Sequence, residues 1–168
     1  MYVSNQAGCS EVEQNLKICY DMYSGFAANP NIYATVLVGL GCEGCTPDKM
    51  ADAIRAKTNK PLEVVVIQDE GGTVNAINKA VKAARKFVQE ASLVKKEEIP
   101  LSELFIGLEC GGSDATSGLA ANPVVGKVSD MVVDNGGSAV MSETTEFIGA
   151  EHILAKRAAT PEIKKQII

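Results

Sequence analysis

Four short apolar runs, separated by helical patterns, constrain what this chain can fold into more than any other feature. The runs lie at residues 35–38, 62–67, 104–108 and 138–141. Strands that alternate with helices favour βαβ units, whose strands are parallel and joined by right-handed crossovers. Because the runs lack a strict apolar-polar alternation, the sheet should be covered on both faces. The sequence therefore predicts an α/β fold, a Rossmann-like three-layer domain with a mostly parallel sheet of about four strands.

The length of 168 residues is enough for one domain with a core of its own. No stretch is rich enough in Pro, Gly or Ser to act as a linker, so residues 1–168 are predicted to form a single α/β domain. The five cysteines are odd in number and scattered, which indicates a reducing compartment rather than a disulfide framework. The N-terminal residues do not resemble a secretion signal, and we predict a cytoplasmic protein.

Charge and composition exclude two classes of partner. The net charge is −5, and the chain has no run of consecutive Lys and Arg residues that could follow a phosphate backbone. Aromatic residues make up 5% of the chain and Trp is absent, which argues against a surface on which bases stack. The longest apolar stretches have about five residues, far short of the roughly 20 that cross a bilayer. We therefore expect neither nucleic acid nor a membrane as a partner.

The most regular helical pattern follows Gly71-Gly72. The apolar residues that recur there at intervals of three and four are Val74, Ile77, Val81, Ala84, Val88 and Ala91. This spacing places all of them on one stripe of an amphipathic helix. Asn122-Pro123 is predicted to cap a further helix that stops at Asn135, and another helix is predicted over 146–157.

Reactive and ligating side chains concentrate where three of the four predicted strands end. The first strand is followed by Cys42 and Glu43, the third by Glu109 and Cys110, and the fourth by residues 142–146. The carboxyl ends of parallel strands meet at one edge, where open α/β sheets bind their ligands. Carboxylates, thiols and hydroxyls gathered there suit a divalent metal and a polyhydroxy or carboxylate ligand.

Two of these strand ends have similar sequences. Residues 36–43 read VLVGLGCE, and residues 104–111 read LFIGLECG. Both are an apolar strand that runs into a Gly-Leu-x-Cys turn, a pattern consistent with duplicated βα units.

The segment 109–118 gives the sharpest of these signals, because it combines acidic, thiol and hydroxyl side chains with glycines directly after a strand. Gly111 and Gly112 let backbone amides approach a carboxylate. The side chains that can fix hydroxyl groups or a metal are Ser113, Asp114, Thr116 and Ser117. The segment has neither the Lys-Ser/Thr ending of a P-loop nor the GxGxxG spacing of a dinucleotide site.

Several of these residues also have structural interpretations. Cys42 and Cys45 form a C-x-x-C pair that could be a redox pair, half of a zinc site, or two small buried side chains. Glu143 and Glu146 could act at the strand end or only place negative charge in the first turn of a helix. His152, the single histidine, fits an exposed helix position better than the role of a base.

Residues 107–126, GLECGGSDATSGLAANPVVG, resemble the signature of the altronate/galactarate dehydratase family, which also includes a sulfolactate sulfo-lyase subunit. Further matches follow in order along the chain: Gly8-Cys9, Asn29-Pro30-Asn31, Gly39 to Glu43, Ser142 to Glu146, and Gly149 to Glu151. One position departs from the pattern, because Asn5 stands four residues before Cys9, where the family usually has His. The resemblance further implies that this chain is the central part of a longer enzyme, with additional lobes before and after it.

The resemblance implies a hydro-lyase that removes water from an aldonate or aldarate, such as altronate or galactarate, to give a 2-keto-3-deoxy acid. The cofactor it implies is a divalent metal, with Fe²⁺ the first choice and Mn²⁺ or Mg²⁺ as alternatives. On this hypothesis the predicted catalytic residues are Glu109, Ser113, Asp114 and Glu143. The predicted substrate-binding residues are Gly111, Gly112, Thr116, Ser117 and Glu146. The predicted metal ligands are Cys42, Glu43 and Cys110.

Two other functions compete with this hypothesis. A non-catalytic binding or assembly module could keep the same fold without the chemistry, and Asn5 favours that interpretation. Elimination of sulfite from sulfolactate could replace dehydration, because the resembling family contains both reactions. The partners expected are a small-molecule sugar acid, the remaining lobes of the parent enzyme, and a second copy of the chain in a homo-oligomer.

Overall fold

A computed structural model describes residues 1–5, 8–10 and 12–167 of the chain. The residues that the sequence predicts to form one domain divide into two compact units, Met1–Lys95 and Lys96–Ile168. The first unit contains α1 (Glu13–Ala28), β1 (Thr35–Gly39), α2 (Pro47–Lys57), β2 (Leu62–Val66) and α3 (Thr73–Ser92). The second contains β3 (Phe105–Leu108), α4 (Asn122–Asp134), β4 (Ser138–Met141), α5 (Glu151–Arg157) and α6 (Pro161–Ile167).

The first unit is built on a parallel strand pair with helices against both faces. β1 and β2 pair in the register that places Leu37 beside Val64 and Val38 beside Val65. Leu37 packs against a cluster of buried side chains from α1 and α2 that includes Met50. Neighbouring residues of a strand point to opposite faces, and α3 packs on both strands from the other side. Val65, on that other face, is fully buried.

The face of α3 that lies on the sheet is rich in alanine. Ala76 is 2% exposed, and Ala80, Ala83 and Phe87 are half-buried on the same side of the helix. The apolar stripe that begins at Val74 is exposed instead, with Val74, Ile77, Val81 and Val88 between 44% and 74% exposed. Small side chains let the helix approach the strands closely, so they occupy the inner face although the valines are more hydrophobic.

The second unit is also built on a parallel pair, but one face of that pair is open. β3 and β4 pair with Phe105 beside Ser138 and Leu108 beside Met141. α4 packs on β4, and α5 packs on α6. Phe105 and Val140, on one face of the pair, are 66% and 48% exposed. Among the described residues of this unit, Ala155 alone is buried.

The structure confirms the α/β class and the parallel pairing of strands at the four predicted positions. The single four-stranded Rossmann-like sheet is not confirmed, because the described strands form two separate two-stranded sheets. Each pair is a βαβ unit whose strands are joined by one helix, so its pairing is local in sequence. Sequence periodicity specifies such local units, whereas joining two pairs depends on long-range contacts between strand edges.

Two helix boundaries differ from the prediction. A π-helical turn, Ser117–Ala121, leads directly into α4, so Asn122-Pro123 lies within the helical segment instead of capping it. Pro123 has no N–H to donate and its ring crowds the preceding turn, and the wider π-helical turn accommodates both effects. The helix predicted over 146–157 is divided into a 3₁₀ turn, Thr144–Phe147, and α5, with Gly149 at φ +89° between them.

None of the described helices combines the length and the apolar character that a bilayer crossing requires.

Candidate metal site at the ends of β3 and β4

The carboxyl ends of β3 and β4 lie side by side because the two strands are parallel and in register up to Leu108 and Met141. Ser142 ties the two strand ends together. Its amide and its hydroxyl both donate to the carbonyl oxygen of Leu108, at 3.0 and 3.1 Å. The segments that begin at Glu109 and Glu143 therefore leave the sheet as neighbours.

Glu143 has an unusual backbone conformation at this edge. With φ 60° and ψ 54°, it is the single non-glycine residue with a positive φ in the described part of the chain. Such conformations cost free energy and concentrate at functional sites. A carboxylate oxygen of Glu143 accepts the Cys110 amide at 3.2 Å, which places the carboxyl group at the start of the loop after β3.

Glu146 comes back close to Glu143 because the chain turns sharply after Glu143, which stands in the left-handed conformation directly before a 3₁₀ turn. The amide of Glu146 donates to the carbonyl oxygen of Glu143 at 2.9 Å, which joins the turn Thr144–Phe147 to the residue before it. Glu143 thus faces Cys110, and Glu146 lies beside Glu143.

Three donor atoms converge as a result: the thiol sulfur of Cys110 and one carboxylate oxygen each from Glu143 and Glu146. These atoms all lie within 4.8 Å of one another, and the three side chains are exposed. Ligand atoms bound to one divalent metal at 2.0 to 2.3 Å lie roughly 3 to 4.5 Å apart, so small rotations suffice to close the group. A thiolate with two carboxylates suits Fe²⁺, Mn²⁺ or Zn²⁺ better than Mg²⁺, which prefers oxygen ligands.

The loop after Cys110 is held by its own hydrogen bonds. The Ser113 hydroxyl lies 3.8 Å from the Cys110 sulfur, and the Ser117 hydroxyl donates to the carbonyl oxygen of Gly112. A methyl group added to Gly111 or to Gly112 would meet no atom within 4 Å. The space beside the Cα atoms of these two glycines is therefore open. Glu109, the first residue after β3, is exposed at the same edge.

Asp114 caps the helical segment that follows the loop. One of its carboxylate oxygens accepts the Thr116 amide at 2.7 Å, the Thr116 hydroxyl at 2.5 Å and the Ser117 amide at 3.0 Å. The Thr116 hydroxyl first, and then the two amides, hold the pKa of Asp114 below its ordinary value. Thr116 and Ser117, predicted to bind substrate, thus serve at least in part to fix this cap.

The turn after β1 is organised differently. Both carboxylate oxygens of Glu43 accept backbone amides of its own turn, those of Leu40 at 2.8 Å and Gly41 at 2.6 Å. The sulfur of Cys42 accepts the side-chain amide of Gln68 at 3.6 Å. Cys42 and Glu43 belong to the first unit, whereas Cys110, Glu143 and Glu146 belong to the second. In the described residues, only the latter three form a cluster of potential metal ligands.

The sequence missed that Glu143 and Glu146 share a ligand cluster with Cys110. Each was selected as a functional residue, but for catalysis and for substrate binding respectively. The available signal was their spacing of three directly after a strand that pairs with the Cys110 strand. His152 lies exposed in α5, and its neighbour Glu151 accepts the Gly149 amide, the main cause that lowers the pKa of Glu151.

Comparisons with known proteins agree with this division of the chain. Residues 1–92 match the family model of the D-galactarate dehydratase/altronate hydrolase second domain. Residues 101–168 match the model of the D-galactarate/altronate dehydratase C-terminal domain. The chain belongs to the galactarate/altronate dehydratase family. The boundary between the two structural units, after Lys95, falls in the short stretch that separates the two matched segments.

Individual relatives cover the chain well but extend far beyond it. The altronate dehydratase of Bacillus subtilis is 37% identical over all of this chain, which spans 33% of that protein. The (2R)-sulfolactate sulfo-lyase subunit beta of Chromohalobacter salexigens is 39% identical over 84% of the chain, or 36% of that subunit. The galactarate dehydratase (L-threo-forming) of Escherichia coli is 37% identical over 83% of the chain and 28% of its own length. This chain thus spans about a third of the length of these relatives.

Proposed function

We propose that this chain contributes two domains to a metal-dependent sugar-acid dehydratase and that Cys110, Glu143 and Glu146 hold the metal. The observation that carries the proposal is the convergence of these three donor atoms within 4.8 Å at one strand edge. The cluster lies in the segment that matches the C-terminal family model. Relatives named altronate and galactarate dehydratase support an aldonate or aldarate as the substrate.

Dehydration of such an acid requires a base, an acid and a means to stabilise negative charge. The base removes the proton next to the carboxylate, the acid protonates the departing hydroxyl group, and the enol product tautomerises to a 2-keto-3-deoxy acid. A bound divalent metal, for which we propose Fe²⁺, supplies stabilisation of the charge that develops on the substrate carboxylate. Glu109 and Ser113, both beside Cys110 in the chain, are our candidates for the proton transfers.

The remaining loop residues position substrate and catalytic groups. The open backbone at Gly111 and Gly112 offers amides to the substrate carboxylate. Asp114 acts through its cap, which fixes the direction in which the chain leaves Ser113 and enters the helix. A catalytic role for Asp114 remains a prediction, and it would use the carboxylate oxygen that does not accept the cap hydrogen bonds. We place the protein in the cytoplasm, because a thiol ligand such as Cys110 requires reducing conditions.

Metal titration of the purified chain under anaerobic conditions tests the site. We expect Fe²⁺ or Mn²⁺ to bind and Cys110→Ser or Glu143→Gln to weaken binding at least about tenfold, since even outer-shell changes can cost that much. Glu98→Gln, which removes an exposed carboxylate elsewhere in the second unit, is the matched control and should bind like the parent. Cys42→Ser reports separately on the metal ligands predicted in the first unit.

Unchanged metal affinity in both Cys110→Ser and Glu143→Gln would rule out the site. If the chain binds neither metal nor galactarate, the non-catalytic binding or assembly module is the better account. A separate experiment tests the reaction. Dehydration is measured in the complete enzyme from the release of a 2-keto acid, with altronate and galactarate as substrates. The 39% identity to a sulfo-lyase subunit favours sulfolactate as a third substrate, for which released sulfite is the readout.

A further inference from the structure

Three cysteines of the first unit lie around the turn after β1, and they differ in exposure. Cys9 and Cys42 are exposed. Cys45 is half-buried and packs against the hydrophobic cluster that contains Met50. The two side chains of the C-x-x-C pair therefore have different surroundings, one at the surface and one in contact with the core. Their spacing in the sequence does not by itself make Cys45 the partner of Cys42.

Cys9 reaches this turn from a distant part of the sequence. Its thiol donates a hydrogen bond to the carbonyl oxygen of Cys42 at 3.3 Å, across a separation of 33 residues. The amide of Gly44 donates to the carbonyl oxygen of Gly8 at 3.2 Å, so the backbones of the two segments are also in contact. Since a carbonyl oxygen is two covalent bonds from its own Cα atom, the sulfur of Cys9 lies within about 6 Å of the Cα atom of Cys42.

We propose that Cys9 and Cys42 form a reversible disulfide when the protein meets hydrogen peroxide. One thiol attacks the peroxide, so that an S–O bond forms, the O–O bond breaks and water leaves, which gives a sulfenic acid. The other thiol then attacks that sulfur, so that the S–S bond forms, the S–O bond breaks and a second water leaves. Two thiols are oxidised and one peroxide is reduced. Thiol–disulfide exchange with glutathione restores the two thiols in a reducing compartment.

The backbone at both cysteines can adjust to the geometry of a disulfide, which needs Cα atoms about 4.4 to 6.8 Å apart. Gly8 and Gly41, directly before the two cysteines, have φ angles of +57° and +119°, in the region that favours glycine. The sulfur of Cys42 accepts the side-chain amide of Gln68 at 3.6 Å, so it must exchange this hydrogen bond for Cys9. Because Cys42 is exposed, we expect its rotation to cost little more than that one hydrogen bond.

The disulfide fastens the N-terminal turn Gly8–Ser10 to the turn after β1. A cross-link across 33 residues removes conformational freedom from the unfolded chain, so the oxidised form should be the more stable one. The neighbouring segment Met1–Asn5, held by a hydrogen bond from the Tyr23 hydroxyl to the Ser4 carbonyl oxygen, lines a cavity of about 690 Å³ along β1. Oxidation therefore fixes the chain beside one wall of this cavity. The inference concerns the first unit alone and does not depend on the metal site.

Peptide mapping of the oxidised chain tests the pairing. The reduced chain is treated with hydrogen peroxide, its remaining thiols are alkylated, and the unfolded protein is cut after glutamate, which separates Cys42 from Cys45 at Glu43. We expect the peptide that contains Cys9 to be linked to the peptide that ends at Glu43, and dithiothreitol to release it. Cys42→Ser should abolish this link. Cys45→Ser, the same substitution three residues away, is the matched control and should retain it.

Melting temperature gives a second measurement on the same samples. The oxidised parent chain and oxidised Cys45→Ser should melt about 5 °C or more above their reduced forms. Cys42→Ser, treated with the same peroxide, should gain nothing, and circular dichroism verifies that each reduced variant is folded. A link between Cys42 and Cys45, a link between two molecules, or no link at all would overturn the inference. A lower melting temperature of the oxidised chain would overturn it too, because the bond would then distort the native turns.

Discussion

The turn after β1 and the turn after β3 have nearly the same sequence pattern but use their polar groups differently. In the first turn, the carboxylate of Glu43 accepts two amides of the turn itself. In the second turn, Gly111 stands at the corresponding position, and the amide of Cys110 instead donates to Glu143, which follows the neighbouring strand. The amides of the first turn therefore donate to a carboxylate of the same turn. In the second turn, an amide donates to the carboxylate of Glu143, which also lies near the thiol of Cys110.

This difference suggests how one strand–turn pattern can serve structure in one place and chemistry in another. A carboxylate that accepts two close hydrogen bonds from its own turn braces that turn. Two carboxylates and a thiol that converge in solvent are available to a ligand. The surroundings follow the same division, since the first unit buries side chains of α1, α2 and both strands, while the second exposes one face of its strand pair.

The largest expected difference in stability is between two methionine-to-alanine variants, one in each unit. Met50, in α2, is 2% exposed, whereas Met131, in α4, is 57% exposed. We expect Met50→Ala to lower the free energy of unfolding by about 2 to 5 kcal/mol, because it leaves a cavity. Met131→Ala should change it by less than about 0.5 kcal/mol.

Urea unfolding followed by circular dichroism measures both changes. Equal losses in the two variants would mean that the second unit buries Met131 under a surface that the described residues do not provide. The contrast between a covered and an open unit would then not hold in solution.

An intermediate effect is expected from the glycines that begin the two turns. A methyl group on Gly39 would overlap the ring of Pro47 and the carboxylate of Glu43, whereas one on Gly107 would meet nothing within 4 Å. Gly39→Ala should therefore destabilise the chain by about 1 to 3 kcal/mol, the usual cost of overpacking. Gly107→Ala should lie within about 0.5 kcal/mol of the parent. Thermal melts of the two variants make the comparison, and a neutral Gly39→Ala would show that the first turn is not braced as described.

The smallest expected effect is a difference in pH dependence. The pKa of Asp114 in the second unit is lowered, so its cap contributes stability above the ordinary Asp range. That contribution is lost as the pH falls below about 4 and through the lowered pKa of the folded state. The hydrogen bond to Glu70 raises the pKa of Lys79 in the first unit, so its contribution is present below the ordinary Lys pKa and lost as the pH rises past it.

Melting temperatures of the parent chain and Asp114→Asn across the acid range measure this effect. An amide oxygen also caps a helix, so the variant should melt within a few degrees of the parent at neutral pH. As the pH falls through the acid range, the melting temperature of Asp114→Asn should decrease less than that of the parent chain. If both proteins respond to acid identically, the cap of Asp114 does not contribute to the acid sensitivity of the second unit.

Much of the local structure could be predicted from the sequence. The apolar runs predicted the four strands, and Asn135 correctly marked the end of α4. The loop after β3 was selected as the strongest candidate site, and Cys110 and Glu143 within the cluster were both named. These features depend on residues close together in the chain, where periodicity and turn chemistry act directly.

The tertiary structure decided three matters that the sequence left open. It placed the alanines of α3 against the sheet and the apolar stripe that begins at Val74 outside, because a helix can approach two strands more closely through small side chains. It brought Glu146 together with Glu143 and Cys110, because a left-handed residue and a 3₁₀ turn fold the chain back over the strand edge. It formed two sheets where one was predicted. All three depend on contacts between residues distant in sequence, whose fit in volume and direction no local pattern specifies.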